Sequence, residues 1–349
     1  MLAVRSPTLQ RKRSTGRPAT RPAPAVTEAL EGRRLLSAGG DLDPTFGAGG
    51  RTTLAFPAAA DPADPDFADD GVSLSAIDSR NGMTVIAGSH VYGHHVPGTP
   101  DFSSVDAAVV RLTAAGRPDP SFGGGDGLLY LDAVGGAADV FVLPDNKILL
   151  VGSDPGGGDF SRMLRLTADG TLDLSFGGGD GAVEIPFGAY NVQARDDGKI
   201  VLGGSGGAPA DGTPTFAAAR LNPDGAFDPT FGTRGVALPG VPAFGAANGL
   251  ALAPGGGVVL GGVIRRADDY YDLGVLRLRA DGSLDPSFGG GDGAVTLDVA
   301  PDDFGGAVAV AADGSVLVGR VDSGQQADEP VLARLRPDGS LDRWFAPLP

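Results

Sequence analysis

Leu284-Asp285-Pro286-Ser287-Phe288-Gly289 is one copy of a phrase that the chain uses six times. The others begin at Leu42, Pro118, Leu172, Phe227 and Leu341, and the six phenylalanines stand at 46, 122, 176, 231, 288 and 345. Successive copies lie 76, 54, 55, 57 and 57 residues apart, so six copies bound five units and the first unit carries about twenty extra residues. A fixed period of this length marks a repeat architecture, in which each unit is one layer and not a domain of its own.

Four short apolar runs recur inside each interval. Run a reads Thr52–Phe56, Leu128–Leu131, Ala182–Ile185, Val236–Leu238 and Ala294–Leu297. Run b reads Val72–Ile77, Asp139–Leu143, Tyr190–Ala194, Asn248–Leu252 and Ala307–Val310, and run c Met83–Ala87, Lys147–Val151, Lys199–Leu202, Gly257–Leu260 and Ser315–Val318. Run d always ends in Arg-Leu, at 111–112, 165–166, 220–221, 277–278 and 334–335. Runs this short, bounded by Gly, Asp, Asn and Pro, predict strands. Asn81-Gly82, Asp197-Gly198 and Asp313-Gly314 between b and c predict tight hairpins with positive φ. One four-stranded sheet cannot cover both of its faces, so neighbours must stack around an axis. The expected fold is therefore all-β, a five-bladed β-propeller of four-stranded antiparallel blades. The units fall at about 47–122, 123–176, 177–231, 232–288 and 289–345, within a propeller spanning 40–349. Six phrases around five units leave one surplus. It either seals the ring beside the first, or the blades are framed so that a strand from one terminus completes a sheet begun by the other.

In every unit the Arg of run d precedes the Asp of the phrase by eight residues: Arg111 and Asp119, Arg165 and Asp173, Arg220 and Asp228, Arg277 and Asp285, Arg334 and Asp342. Five alike argue for a structural ion pair or turn cap, since catalysis needs one special copy. The phenylalanine after each Asp is expected to wedge between blades. These features resemble the bacterial delta-60 repeat family, whose units read approximately G-x-L-D-x-S-F-G-x-x-G. The resemblance covers residues 41–345 and implies a propeller-like fold without an established activity.

Glycine (58 residues) and proline (28) approach low-complexity levels, yet 42% of residues are apolar and patterned, which reads as turns between strands and not as disorder. Residues 1–39 carry a balance of +6 and residues 40–349 a balance of −22. So acidic a domain repels phosphates, which sets nucleic acid aside as a partner. The absence of cysteine excludes disulfides, thiolate metal sites and a cysteine nucleophile. No apolar run of membrane-spanning length exists, so no transmembrane segment is expected, and the chain is expected to be a monomer.

Residues 1–27, rich in Arg, Pro, Ser and Thr, bury too little to order themselves, so a disordered basic segment is expected over 1–39. Glu28-Ala29-Leu30-Glu31-Gly32-Arg33-Arg34-Leu35-Leu36-Ser37-Ala38 resembles the LEPR-XLL N-terminal motif of planctomycete surface and extracellular repeat proteins, with Gly32 where proline is usual. That resemblance implies an extracellular or cell-surface location. From the residues alone the stretch also reads as a short amphipathic helix docking on the propeller.

Connections a–b and c–d emerge on one face and carry nearly all the variation. The c–d loops at Ser89–Val105, Ser153–Phe160, Ser205–Thr215, Ile264–Leu273 and Val321–Pro330 hold the candidate ligand-binding residues Tyr92, His94, His95, Arg265, Arg266, Tyr270 and Tyr271. Irregular aromatic and charged loops on a rigid scaffold are where recognition usually sits. An envelope glycan or protein is the expected partner. His90, His94 and His95 with Asp101 have the residue types of a metal site, but a Gly-containing loop does not set the spacing, and no metal is assigned. Gly123-Gly124-Gly125-Asp126-Gly127 and its copies offer one Asp per turn, short of calcium's six to eight oxygens, so calcium is left open and no cofactor is assigned. The alternative function is a carbohydrate-active hydrolase or lyase with carboxylates in the propeller tunnel. Of the glutamates only Glu184 and Glu329 lie in the repeat domain, and no Ser-His-Asp set stands out, so no catalytic residue is named.

Overall fold

The structure, a computed structural model, describes residues 42–54, 56, 67–94, 102–156, 158–207, 214–241, 247–265, 271–298, 305–320, 331–343 and 345. The basic segment and the motif at 28–38 lie outside them. Pro44–Pro349 forms one compact unit.

Among the described residues nineteen strands build five antiparallel sheets. Sheet one contains β1 (Phe67–Arg80), β2 (Met83–His94), β3 (Phe102–Leu112) and β4 (Leu128–Leu131). Sheet two contains β5 (Gly135–Val142), β6 (Ile148–Ser153), β7 (Ser161–Leu166) and β8 (Ala182–Ile185). Sheet three contains β9 (Gly188–Ala194), β10 (Ile200–Gly206), β11 (Thr215–Leu221) and β12 (Val236–Ala237). Sheet four contains β13 (Gly249–Leu252), β14 (Val258–Arg265), β15 (Tyr271–Leu278) and β16 (Ala294–Leu297). Sheet five contains β17 (Gly305–Val310), β18 (Val316–Arg320) and β19 (Leu332–Leu335). The molecule is a five-bladed propeller, and a 3-10 turn at Pro254–Gly256 is the one helical turn among the described residues.

The blades are framed b-c-d-a, the last strand coming from the following unit. Run a of each unit therefore completes the blade before it. This corrects two expectations. Thr52–Phe56 forms no strand among its described residues. Sheet five has three strands among the described residues. A third correction concerns the loop expected over 89–105. Residues 89–94 and 102–105 instead extend the β2–β3 hairpin, with Tyr92 paired to both Asp69 and Ser104. The extra residues of the first unit lengthen strands because each new residue finds a cross-strand partner on an adjacent edge.

Apolar clusters fill the gaps between successive sheets. Val85 and Val109 of sheet one meet Ile148, Leu150 and Leu164 of sheet two. Leu149, Val151 and Met163, on the opposite face of sheet two, meet Ile200, Leu202 and Ala217 of sheet three. Alternation along each strand sends successive side chains to opposite neighbours, so inner blades are apolar on both faces.

The phrase locks each gap. Arg165 Nε donates to Asp173 at 2.7 Å and Nη2 to Ser175 at 3.1 Å, while the guanidinium lies 4.4 Å from the centroid of the Phe176 ring. Nη1 of Arg165 donates to the Pro223 carbonyl of the next unit. Arg111, Arg220 and Arg277 repeat this reach to Ala168, Ala280 and Pro337. Phe122, Phe176, Phe231 and Phe288 are fully buried, each wedged against a turn glycine of the next blade. Burying one such ring stabilises the stack by about 1.5–3 kcal/mol. The seat must be glycine: at Gly170 φ is +95° and a Cβ would sit 2.9 Å from the Phe122 ring.

Candidate functional site

Two cavities lie where the variable face meets the propeller axis. A cleft of about 870 Å3 opens between the rims of sheets two and three. Its walls come from the start of β5, the β6–β7 connection, the start of β9 and the end of β10, all on the a–b/c–d face. A second cavity of about 450 Å3 lies on the axis, where β1, β5, β9 and β13 converge. Ala138 and Tyr190 line both, so the cleft leads into the axial space.

The cleft presents apolar surface above a small-residue floor. Phe160 and Tyr190 are 45% and 39% exposed, and Phe187 is buried beneath them in the wall. Glycines at 135, 136, 188, 206 and 207 bring main chain to the surface, and Asp159 adds a carboxylate. Two of the serine hydroxyls at the edge, those of Ser153 and Ser161, are bound internally. Ser161 Oγ accepts the Ala189 amide at 2.8 Å, and Ser153 Oγ donates to the Gly135 carbonyl. The cleft surface thus consists mainly of ring faces and main-chain groups, with Asp159 beside them.

The axial cavity is polar because its side chains stitch one inner strand to the next. Ser75 Oγ donates to the Ala137 carbonyl at 2.8 Å, and Asn191 Nδ2 to the Ala247 carbonyl at 2.9 Å. Asn248 Nδ2 donates to the Gly305 carbonyl at 3.3 Å. Asp139 accepts the Val140 and Val192 amides, both at 2.8 Å. Burial, aided by the Asp78 charge, pushes the Asp139 carboxyl up to about 6 against the pull of those two amides. Among the described residues Asp139 is the only carboxylate lining this cavity. Asp78 makes the same stitch one blade earlier, accepting the Val142 amide at 2.7 Å.

The residues singled out from sequence are spread over two other blades. Tyr92 lies in β2, its ring 5.2 Å from that of His90, which in turn lies 4.6 Å from Tyr130. Arg265 and Tyr271 face each other across the β14–β15 hairpin. His94 is in β2, while His95, Arg266, Tyr270 and Asp101 lie outside the described residues. Tyr92, Arg265 and Tyr271 do not line the cleft. Phe160 and Tyr190 were legible only as single aromatics at a loop end and a strand start; concavity between two blades has no signature in one repeat. Among the described residues no group of three His, Cys, Asp or Glu could hold a metal ion, and no helix is long and apolar enough to cross a membrane.

On the opposite face the five Arg–Asp pairs are ion pairs, with Nε to Oδ2 distances of 2.9, 2.7, 2.7, 2.7 and 2.8 Å in chain order. Burial raises the Asp228 carboxyl, but hydrogen bonds from Lys199 and Thr230 and from Arg220 outweigh it and hold the group well below the usual range. Asp173 is held down in the same way by Ser175, Lys147 and Arg165. Asp173 and Asp228 are thereby held in the ionised form as parts of the frame.

The arrangement defines a repeat propeller with a cleft at the mouth of its axis. The family described as "Domain of unknown function (DUF5122) beta-propeller" matches residues 143–176, 195–231, 256–288 and 311–345, each stretch spanning strands c and d and the phrase. The match supports a propeller-repeat family for these stretches. No curated protein matches it in sequence. Among solved structures it is similar to a glucose dehydrogenase, with 13% identity, TM-score 0.41, and 73% of this chain and 79% of that one covered. It is similar to the catalytic domain of a GH62 α-L-arabinofuranosidase from Coprinopsis cinerea, with 11% identity, TM-score 0.37, and coverage of 79% and 93%. The α-L-arabinofuranosidase PaAbf62A from Podospora anserina gives 11% identity, TM-score 0.36, and coverage of 80% and 94%. Likeness this remote carries nothing of their chemistry to this chain.

Proposed function

We propose that the chain is a non-catalytic binding scaffold, displayed at the cell surface or outside the cell, that holds a neutral glycan of the envelope in the cleft between sheets two and three. The observation that carries the reading is the pair of exposed rings, Phe160 and Tyr190, in a concavity whose other polar groups are largely main chain. Ring faces suit the C–H face of a sugar, and main-chain donors and acceptors suit its hydroxyls. Asp159 and the chain's net charge of −16 disfavour an anionic ligand. The surface location rests on the resemblance of residues 28–38 to the LEPR-XLL motif. A hydrolase needs two working carboxylates, whereas the axial cavity presents one, already bonded to two amides.

A glycan binding screen on the full chain, with and without calcium, tests this. Phe160→Ala and Tyr190→Ala should each weaken binding about tenfold, or 1.4 kcal/mol. Arg265→Ala and Tyr271→Ala should leave it unchanged. Loss in the second pair only would move the site to sheet four, and hydrolysis of a bound glycan would overturn the non-catalytic reading.

A further inference from the structure

Each blade receives a wedge from the phrase before it, and the accounting at the two ends does not match a closed circle. The seats are Gly116, Gly170, Gly225, Gly282 and Gly339, filled by Phe46, Phe122, Phe176, Phe231 and Phe288. The amide of the glycine after each phenylalanine completes the contact, from Gly47 to the Ala115 carbonyl at 2.7 Å as from Gly289 to the Asp338 carbonyl at 3.0 Å. Phe345 is the sixth wedge. It lies beneath Arg334, 4.8 Å from the guanidinium, so its own clasp is formed. In a closed ring its seat would be Gly116. A Cβ placed there would lie 2.8 Å from the Phe46 ring, so the seat is taken.

The sheet faces on either side of this junction are correspondingly open at Leu332 and Ile77, while Val110 and Leu112, at the sheet-one end next to the Phe46 seat, stay buried. Val109, Met163, Ala218 and Val275 occupy one equivalent position in sheets one to four and are all fully buried, whereas Leu332 of sheet five is 53% exposed. On the facing side Val140, Val192 and Leu250 of sheets two to four are at most 5% exposed, whereas their counterpart Ile77 in sheet one is 66% exposed. The two uncovered faces are the complementary halves of the interface already used between the other blades.

We propose that Phe46 and Phe345 are rival occupants of one seat, and that the N-terminal phrase is an internal cap holding the propeller open. The occupant it excludes is the C-terminal phrase of the same chain, with the outer face of sheet five behind it. Both halves belong to one compact unit, so closing the ring is an intramolecular step favoured by a high effective concentration. Release of the cap moves the wall of the axial cavity formed by Ser75, Ala76 and Ile77. The inference rests on the repeat geometry and is independent of the glycan reading.

The chain has no cysteine, which permits a direct test. Met163 and Leu202 share the cluster between sheets two and three, and their counterparts across the open junction are Leu332 and Ile86. In the full chain carrying Leu332→Cys and Ile86→Cys, adding Phe46→Ala should speed formation of an intramolecular disulfide severalfold. Adding Phe345→Ala as well should abolish that gain. Equal rates with and without Phe46 would overturn the proposal, and so would a cross-link found only between molecules. Thermal unfolding supplies a second reading should Phe46→Ala fail to fold. Phe345→Ala alone should leave the transition near that of the native chain, while Phe288→Ala lowers it. An equal loss in both would show Phe345 already seated and end the proposal.

Discussion

Asp139 shows how one buried carboxyl couples this fold to pH. Its folded-state pKa of about 6 lies above the ordinary 3.8, so between about pH 4 and 6 the folded chain keeps a proton that the unfolded chain has lost. Stability from this group is full below about pH 4 and falls as pH rises through 6. A shift of about two units at 1.36 kcal/mol each makes the decline about 3 kcal/mol at most. Asp173 and Asp228 act with the opposite sign: their pKa values are held down, and their contribution is lost as pH falls below the ordinary carboxylate range. The expected outcome is that Asp139→Asn flattens the decline in stability between about pH 4 and 6, read as urea unfolding free energy against pH relative to the native chain. An unchanged profile would mean that Asp139 stays ionised in its stitch. The Arg–Asp pairs were legible in the sequence because five copies share one spacing, whereas the role of Asp139 was not, since its counterparts in later blades are Asn191, Gly249 and Ala307, of which only Asn191 bonds main chain through its side chain.

At the scale of the strand, the repeat exposes how closely neighbouring blades approach. A Cβ on Gly261 of β14 would lie 2.1 Å from the Gly306 carbonyl oxygen, and one on Gly249 of β13 would lie 2.0 Å from the same atom. The obstacle is main chain, so no rotamer change relieves it. Gly261→Ala should therefore push β17 away from β14 and cost about 1–3 kcal/mol, as overpacking does. Thermal unfolding of that variant checks the magnitude, and a transition as high as the native one would show that the two sheets separate freely. Run d ended where the structure ends it, at Leu112, Leu166, Leu221, Leu278 and Leu335, because Arg-Leu and the turn after it punctuate every unit. The partner of run a was not legible. A run of four apolar residues carries no mark of whether it pairs forward or backward, and only the missing strand at 52–56 reveals the frame.

At the scale of the molecule, the period decides the blade count, while the cleft depends on the relative tilt of two blades and so leaves no trace in one chain's pattern. The same stacking logic predicts how stability is distributed. In a repeat array each layer is held by its own hydrogen bonds and by its nearest neighbours. Sheet three is covered on both faces, and β10 is buried along residues 200–205. β19 pairs with β18 alone among the described residues, and Leu332 lies on an uncovered face. Local opening of β19 therefore exposes little new apolar surface and breaks few bonds, whereas β10 opens only when both of its interfaces fail. Amide hydrogen exchange under native conditions should show β10 exchanging through global unfolding and β19 at least about tenfold faster, a gap of 1.4 kcal/mol or more. Phe46→Ala should slow β19, because closure of the ring would cover Leu332. If β19 already exchanges as slowly as β10 in the native chain, sheet five is covered and the ring is not open.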